Sequence, residues 1–291
     1  SHRHPLAELA LLFLRLGATA FGGPAAHISM MEEEVVRRRR WLSSEEFLDL
    51  LGATNLIPGP NSTEMAIHIG HRRAGWAGLV VAGTCFIVPA AAITLVVAWA
   101  YVRFGALPKA GAVLYGVKPV MVAAVAQALV GLGRTAVRSR AHAVLGVLAA
   151  GAVVAGIDEL AVLFGAGFLC VAWTERARRA PPPAGAAFLA PAGIATASAG
   201  AVSSWSIFLV FAKIGSVLFG SGYVLLAFLR TDLVEQRHWL SDAQLVDAIA
   251  AGQITPGPVF TTATFVGYLV NGYAGAAAVT LGIFLPAFVF V

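Results

Sequence analysis

The chain has 291 residues, of which 58% are hydrophobic and 12% charged, with a formal net charge of +5. A soluble domain carries about a quarter charged residues, so this composition, with a mean hydropathy of +0.80, excludes an ordinary soluble enzyme or binding module. The basic residues sit in short loops between apolar blocks, which is the pattern of membrane orientation and not of a nucleic-acid-binding face.

The expected fold is all-α, a polytopic helical membrane protein. The first apolar block, from about residue 6 to 31, reads as a span interrupted at "FGGP". It carries Arg15 in its middle and no small-residue cleavage pattern, so it is not read as a signal peptide. A polar loop, "EEEVVRRRRWLSSEE", follows. Next, a segment from about 47 to 70 is broken at Pro58-Gly59-Pro60 and crowded with Asn55, Asn61 and Glu64. "GLVVAGTCFIVPAAAITLVVAWAYV" (Gly78 to Val102) runs without a charge and exceeds the roughly 20 residues a helix needs to cross a bilayer. Further spans are expected at about 111–133 and, as a tighter pair, at 141–157 and 160–173, turning at "IDEL". Cys85 and Cys170 lie in apolar segments without metal-ligand spacing and read as packing residues.

The chain then repeats itself. "LFLRLGATAFGG" (Leu12 to Gly23) aligns with "VFAKIGSVLFGS" (Val210 to Ser221), and "RWLSSEEFLDLLGATNLIPGP" (Arg40 to Pro60) aligns with "HWLSDAQLVDAIAAGQITPGP" (His238 to Pro258), both at a shift of 198 residues. After a one-residue deletion, "GHRRAGWAG" meets "GYLVNGYAG" and Pro89 meets Pro286. The domain organisation follows: a first repeat over 1–174, a cytoplasmic linker over 175–202 and a second repeat over 203–291. The second copy ends on "LPAFVFV", so it reads as truncated.

Arg37 to Arg40, Arg72–Arg73 and the arginines at 134–140 and 176–179 are expected on the cytoplasmic side. Basic clusters flank the Pro-Gly-Pro segment on both sides, which makes it a re-entrant hairpin. Counting the remaining five spans puts the second copy in the opposite orientation, and its loop at Arg230 to Asp242 is correspondingly acidic. Two copies of opposite orientation form an inverted tandem repeat, the architecture of many secondary transporters.

A backbone break at bilayer depth is tolerated where the freed groups line a cavity or bind something. At "PGPNSTE" a new helix is expected to start with Asn61 as N-cap and Glu64 at the third position, a capping-box-like pattern. Its N–H groups and dipole favour an anion. "TPGPVFTT" (Thr255 to Thr262) offers a second helix start, and "FGGPAAH" and "FGSGYVL" add a glycine-broken pair. The candidate substrate-binding residues are therefore Arg15, Gly22, Gly23, Pro58, Gly59, Pro60, Asn61 and Ser62 in the first copy. In the second they are Lys213, Gly220, Ser221, Gly222, Thr255, Pro256, Gly257, Pro258, Thr261 and Thr262. Arg15 and Lys213 occupy matching positions, and a cation in an apolar span faces a cavity or a partner. The competing reading is that each snorkels or pairs with an acid such as Glu64. His27, Glu64 and His68 have no titratable counterparts in the second copy, where Leu225, Thr262 (or Thr261) and a residue of "TFVG" stand. They are the candidates for proton coupling. "HIGH" (His68 to His71) matches a nucleotide-activation signature only by coincidence, and no nucleophile–base spacing, P-loop or zinc motif is present.

"FGGPAAHI", "RRWLSSEEFLDLLGATNLIPGPNSTEMA" and "FGSGYVLLAFLRTDLVEQRHWLSDAQLVDAIAAGQITPGPVFTTATFVGY" resemble the chromate ion transporter family, in its long form with two fused halves. The resemblance implies a multi-pass protein of the bacterial inner membrane. It would export chromate, confer resistance and use the proton gradient, with sulfate as a related oxyanion cargo. It rests on Phe21 to Pro24 with His27, Pro58 to Asn61, Phe219, Gly220, Gly222 and Pro256 to Pro258. Ser221 stands where a third glycine is common. Chromate and sulfate are the candidate substrates, the bilayer is the surrounding partner, and a homodimer is the candidate assembly. No cofactor, metal or nucleic acid is expected. The alternatives are a sulfate or other oxyanion uptake system and, from another class, a membrane-embedded enzyme or scaffold. The duplication favours transport, which profits from two-sided symmetry.

Overall fold

A computed structural model describes residues 5–104, 137, 139–155, 157, 162, 165–170, 203–220, 225 and 228–291. The spans expected at 111–133, the turn at Asp158–Glu159, the linker at 175–202, and Ser221 and Gly222 lie outside these. The chain divides into two compact units, Ser1–Met121 with Ala199–Val291, and Val122–Ser198. The second unit contributes helix α5 (Arg140–Val154), capped by Ser139, within the apolar stretch expected at 141–157. The first unit holds the broken segments of both copies, and the rest concerns it.

The described residues are almost wholly helical. In the first copy, α1 (Pro5–Thr19) is followed by α2 (Gly23–Glu32), which continues as a π-helical stretch, Glu33–Arg38. Then come α3 (Ser44–Thr54), a two-residue strand β1 (Gly59–Pro60) and α4 (Asn61–Phe104). In the second copy, α6 (Ser204–Val217) leads into β2 (Phe219–Gly220), and a π-helical stretch spans Arg230–Gln236. α7 (Asp242–Ile254), a 3-10 turn (Val259–Thr261) and α8 (Thr262–Phe290) follow. The same local chemistry opens α3 and α7. Ser43 and Glu46 form one full capping box, and Ser241 and Gln244 form the other, so each satisfies orphan N–H groups reciprocally.

Neither α4 nor α8 is one straight rod. Ala74–Gly75 in α4 and Asn271–Gly272 in α8 leave the helical region, and the chain reverses there. A Cβ on Gly70 would run into the carbonyl of Gly78, and the converse holds for Gly78 against Gly70. Eight residues of continuous helix would separate these two backbones by about 12 Å. Only glycine at both positions lets the arms touch backbone to backbone. Gly267 and Gly275 repeat this contact in α8, where Thr264 and Thr280 also join hydroxyls at 2.8 Å. Each of these helices is therefore a short arm (61–73, 262–270) folded against a long apolar one (76–104, 273–290).

The first apolar block also differs from its expected form. Arg15 pairs with Glu34 at 3.7 Å, yet a continuous span would hold these residues about 28 Å apart. Glu8 near the start of α1 pairs with Arg73, and Arg73 lies over Trp41 at 5.0 Å. Both ends of the block thus meet at one place, and α1 and α2 form a hairpin that turns at Gly22, where φ is +106°. The expected crossing at 6–31 is replaced by a return. A count of crossings that includes it no longer fixes the orientation of the second copy.

Two apolar cores hold the unit. Leu9, Leu12, Phe13, Met31, Val35, Phe47, Met65 and Phe86 pack in the first copy. Ile207, Phe211, Leu229, Leu233, Phe260, Phe265 and Ile283 pack in the second, together with Ile87 and Ala98 from α4. Gly17 lets α1 press on the Phe86 carbonyl, and Gly215 does the same for α6 against the Ile283 carbonyl. In a protein with Cys85 and Cys170 replaced by serine, a Thr264→Cys/Thr280→Cys pair should close a disulfide on mild oxidation. The readout is loss of thiol labelling. A continuous helix would keep these positions about 24 Å apart and both thiols reactive.

Candidate functional site

The breaks of the two copies close on each other. Gly59 N–H donates to the Leu218 carbonyl at 2.7 Å, and Gly257 N–H donates to the Ala20 carbonyl at 2.8 Å. These bonds are the same pair of positions under the 198-residue shift, with the copies exchanged. Around the first, Gly59 pairs with Phe219 and Pro60 with Gly220 as a minimal parallel ladder. Each Pro-Gly-Pro tip is thereby clasped to the glycine-broken tip of the other copy. Gly257 sits at φ +88°, and a Cβ there would strike Ala90 and approach the Gly17 carbonyl at 2.8 Å. No other residue fits that clasp without strain.

The α3–α4 segment is closed at its open end. Arg72 donates to Glu46 at 2.8 Å, joining the last turn of the arm 61–73 to the first turn of α3. α3 has 11 residues, and each arm is thus about half a bilayer long at 1.5 Å per residue. Pro58, Gly59 and Pro60 lie at the far end, and α4 begins directly after them. Its first N–H groups have no intrahelical acceptor. Pro256, Gly257 and Pro258 stand the same way before the 3-10 turn and α8.

Asn61 is the first residue of α4 and not its cap. Its Nδ2 donates to the Asn55 Oδ1 at 2.8 Å, and its own Oδ1 is buried without a partner. Glu64 makes no return bond, so the expected capping box does not form. Its side chain faces Gly59, on whose added Cβ it would intrude, and is 0% exposed with both carboxylate oxygens unpartnered. Ser62 and Thr63 are buried beside it. His68 Nε2, one helical turn further on, is also buried and unpartnered. His27 is placed differently. Its Nε2 lies 3.2 Å from the Ala20 carbonyl, and its ring meets Phe86 edge-on, so it braces the clasp at Gly257.

In the second copy Thr255, Thr261 and Thr262 are buried, but their hydroxyls are turned to local carbonyls: Thr255 to Gly252, Thr261 to Pro258 and Thr262 to Val259. Their protons are therefore in use, whereas at the first copy's tip the Thr63 hydroxyl is buried without a partner. Thr94 lies 3.3 Å from both the Thr255 and the Thr261 hydroxyl, and Tyr101 donates to Asp247 at 2.9 Å. Sequence reading assigned no role to Thr94, Tyr101 or Asp247. Thr94 sits in an unbroken apolar run, and its repeat counterpart is the last residue, Val291, so no signal marks it.

Arg15 and Lys213 are not brought to the tips. Arg15 has a side chain 66% exposed and lines a half-open cleft of about 370 Å³ between α1 and α2, from Thr19 near the turn to Arg38 at the mouth. Its partner is Glu34, which also binds Arg38 and Arg39, not Glu64. Lys213 is exposed on α6. Gly22 and Gly23 form the turn before α2, and Gly220 belongs to the β2 ladder. No cluster of three metal-ligating side chains occurs among the described residues.

Broken half-length hairpins, clasped in pairs beside long apolar helices, define a helical membrane protein built like a transporter. Residues 7–171 and 205–291 match the family described as Chromate transporter. The chain belongs to that family. It is 34% identical over 298 aligned positions to the Chromate transport protein of Cupriavidus metallidurans, covering 99% of this chain and 73% of that one. It is 33% identical over 303 positions to the Chromate transport protein of Pseudomonas aeruginosa, covering 97% and 71%. Identity to the Probable chromate transport protein of Synechococcus elongatus is 30% over 299 positions, covering 99% and 76%. No solved structure matches the chain.

Gly257→Ala places a side chain at positive φ against Ala90, a strain of about 1–3 kcal/mol. Thermal unfolding of the detergent-purified variant should occur several degrees below the parent, while Gly52→Ala, inside α3 where an added Cβ meets nothing, should leave it unchanged or raise it.

Proposed function

We propose that this chain exports chromate across the bacterial inner membrane as a multi-pass secondary transporter driven by the proton gradient, and so confers chromate resistance. The observation that carries the reading is the reciprocal clasp. Helix starts at Asn61 and at Val259–Thr262 lie beside backbone bonds exchanged between copies. A tetrahedral dianion is suited to such a place, since several N–H groups and two helix dipoles can meet its oxygens. Membership of a transporter family, with relatives named for chromate transport, favours this over a membrane-embedded enzyme.

The two copies are proposed to lie in opposite orientations, and the support is contact geometry in place of a count of crossings. The long arm of α4 leaves the basic mouth at Trp76. Further along it Thr94 reaches the second copy's tip at Thr255, and Tyr101 then reaches Asp247, midway back along α7. Moving away from one mouth means moving toward the other. At the opposite end, Leu79 of the same arm packs with Ala287 and Val291, the far end of α8. Antiparallel copies around central tips suit alternating access.

Substrate contact is assigned to the tips: Pro58 to Ser62 in one copy, and Thr255 to Pro258 with Thr261 and Thr262 in the other. Arg15, in the cleft between α1 and α2, and Lys213, at the matching position of α6, are assigned to drawing the anion in. Glu64 is assigned the coupling proton, being a buried carboxylate with no counter-charge, next to the tip.

Inverted vesicles loaded with the protein should accumulate radiolabelled chromate when a proton gradient is imposed, and lose that accumulation with an uncoupler. Sulfate taken up in preference to chromate would reassign the cargo, and no gradient-dependent uptake of either anion would overturn the reading. Arg15→Ala and Lys213→Ala should each lower chromate uptake about tenfold, equivalent to ~1.4 kcal/mol. Unchanged uptake in both would remove the paired cations from the path.

A further inference from the structure

Asn61, Glu64, His68 and His71 recur at intervals of three and four residues, so they share one face of the arm 61–73. From Glu64 outward along that face burial falls in steps. Glu64 is fully buried against the Pro-Gly-Pro tip, His68 is half-buried, and His71 is exposed, next to the Arg72–Glu46 pair that closes the mouth. Of the unsatisfied atoms on this arm, Asn61 Oδ1, both Glu64 oxygens and His68 Nε2 lie on this face, and Thr63 Oγ1 lies beside it. His71 contacts Trp76 edge-on at 5.2 Å and leaves its ring at the surface.

We propose that His71, His68 and Glu64 form a one-sided proton path, connecting the aqueous phase at the basic mouth to the clasped tip and to no other surface. This deepens the proton-coupling reading above and rests on it. His71 takes up a proton from water and passes it to His68, which passes it to Glu64. At the last step one N–H bond breaks and one O–H bond forms, and His68 is recharged from His71. Successive members are neighbours on the helix surface, with Cβ atoms about 5–6 Å apart. Once protonated, Glu64 has a donor for a carbonyl acceptor such as Asn61 Oδ1 on the same face, which the carboxylate lacks.

Surrounding elements leave this stripe as the titratable route. On α3, Glu46 is held by Arg72, while Glu45 and Asp49 are exposed; on α1, Glu8 is held by Arg73 and Arg15 by Glu34. On α2, His27 is turned to the Ala20 carbonyl. α8, whose Ala287 lies against Gly59, carries no charged residue. On α7, Asp247 receives Tyr101. The second copy has no such ladder, so coupling is built into one half only.

The test uses purified full chain in proteoliposomes with trapped pyranine. Chromate-driven proton movement and chromate/chromate isotope exchange are measured side by side. His68→Gln should slow proton movement about tenfold or more and keep exchange within about twofold of the parent. His71→Gln should slow proton movement less, about two- to threefold, because water reaches the next member by itself. Glu64→Gln should abolish proton movement. Proton movement at the parent rate in His68→Gln overturns the path. Loss of both activities together, in His68→Gln and His68→Asn alike, places His68 at the anion and also overturns it. If the parent exchanges chromate but moves no protons, the coupling reading fails first and the path falls with it; if the parent exchanges no chromate, the cargo assignment fails and the path again falls with it.

Discussion

Everything in this unit depends on satisfying backbone groups where no water reaches. A helix that stops halfway across a bilayer strands N–H and C=O groups, each costing several kcal/mol. Here the solution is mutual. The Gly59 amide is met by Leu218 and the Gly257 amide by Ala20, so the break in one copy is healed by the break in the other. Prolines on both sides of each glycine reduce the number of amides to be met, since proline has none. Close packing follows, because the tips meet only if α1 and α6 sit directly on the long arms, which Gly17 and Gly215 permit.

Symmetry of backbone and asymmetry of side chains then divide the work. The hairpin turns, the capping serines, the glycine contacts and the clasps are present twice. Among the described residues, His27, Glu64 and His68 have no titratable counterpart in the second copy. Thr261 and Thr262 stand where Glu64 would be, and they are satisfied by local carbonyls, whereas Glu64 is not. A scaffold whose backbone is equivalent in both halves thus carries a buried carboxyl group, Glu64, in one half, and under the proposed coupling that asymmetry distinguishes the two sides.

Much of this was legible from residues alone. The Pro-Gly-Pro pair, the 198-residue shift and the all-helical fold follow from pattern, because repeated breakers in an apolar chain have few other meanings. The first hairpin was not legible. Residues 6–31 are long and apolar enough to cross a bilayer, and hydropathy measures length without direction; the return is decided by Gly22 and by ion pairs that hold both ends together. The capping box at Asn61 failed because Glu64 is buried against Gly59 and makes no return bond to the backbone, while boxes formed at Ser43–Glu46 and Ser241–Gln244 on exposed turns. Arg15 found its acid in Glu34, which is distant in sequence unless the fold-back is known. Thr94 was invisible, since a lone threonine in an apolar run says nothing until its partners arrive from another copy.

The clasp also imposes an order in time. Ribosomes deliver the Gly59 tip roughly 160 residues before Leu218 is made, which at 5–20 residues per second is about 8–30 seconds. During that interval the acceptor of the Gly59 amide is not yet synthesised. Insertion of the first half must therefore be provisional, with its tip shallow, hydrated or sheltered by the insertion machinery, until the second half arrives and both tips lock in a single late step.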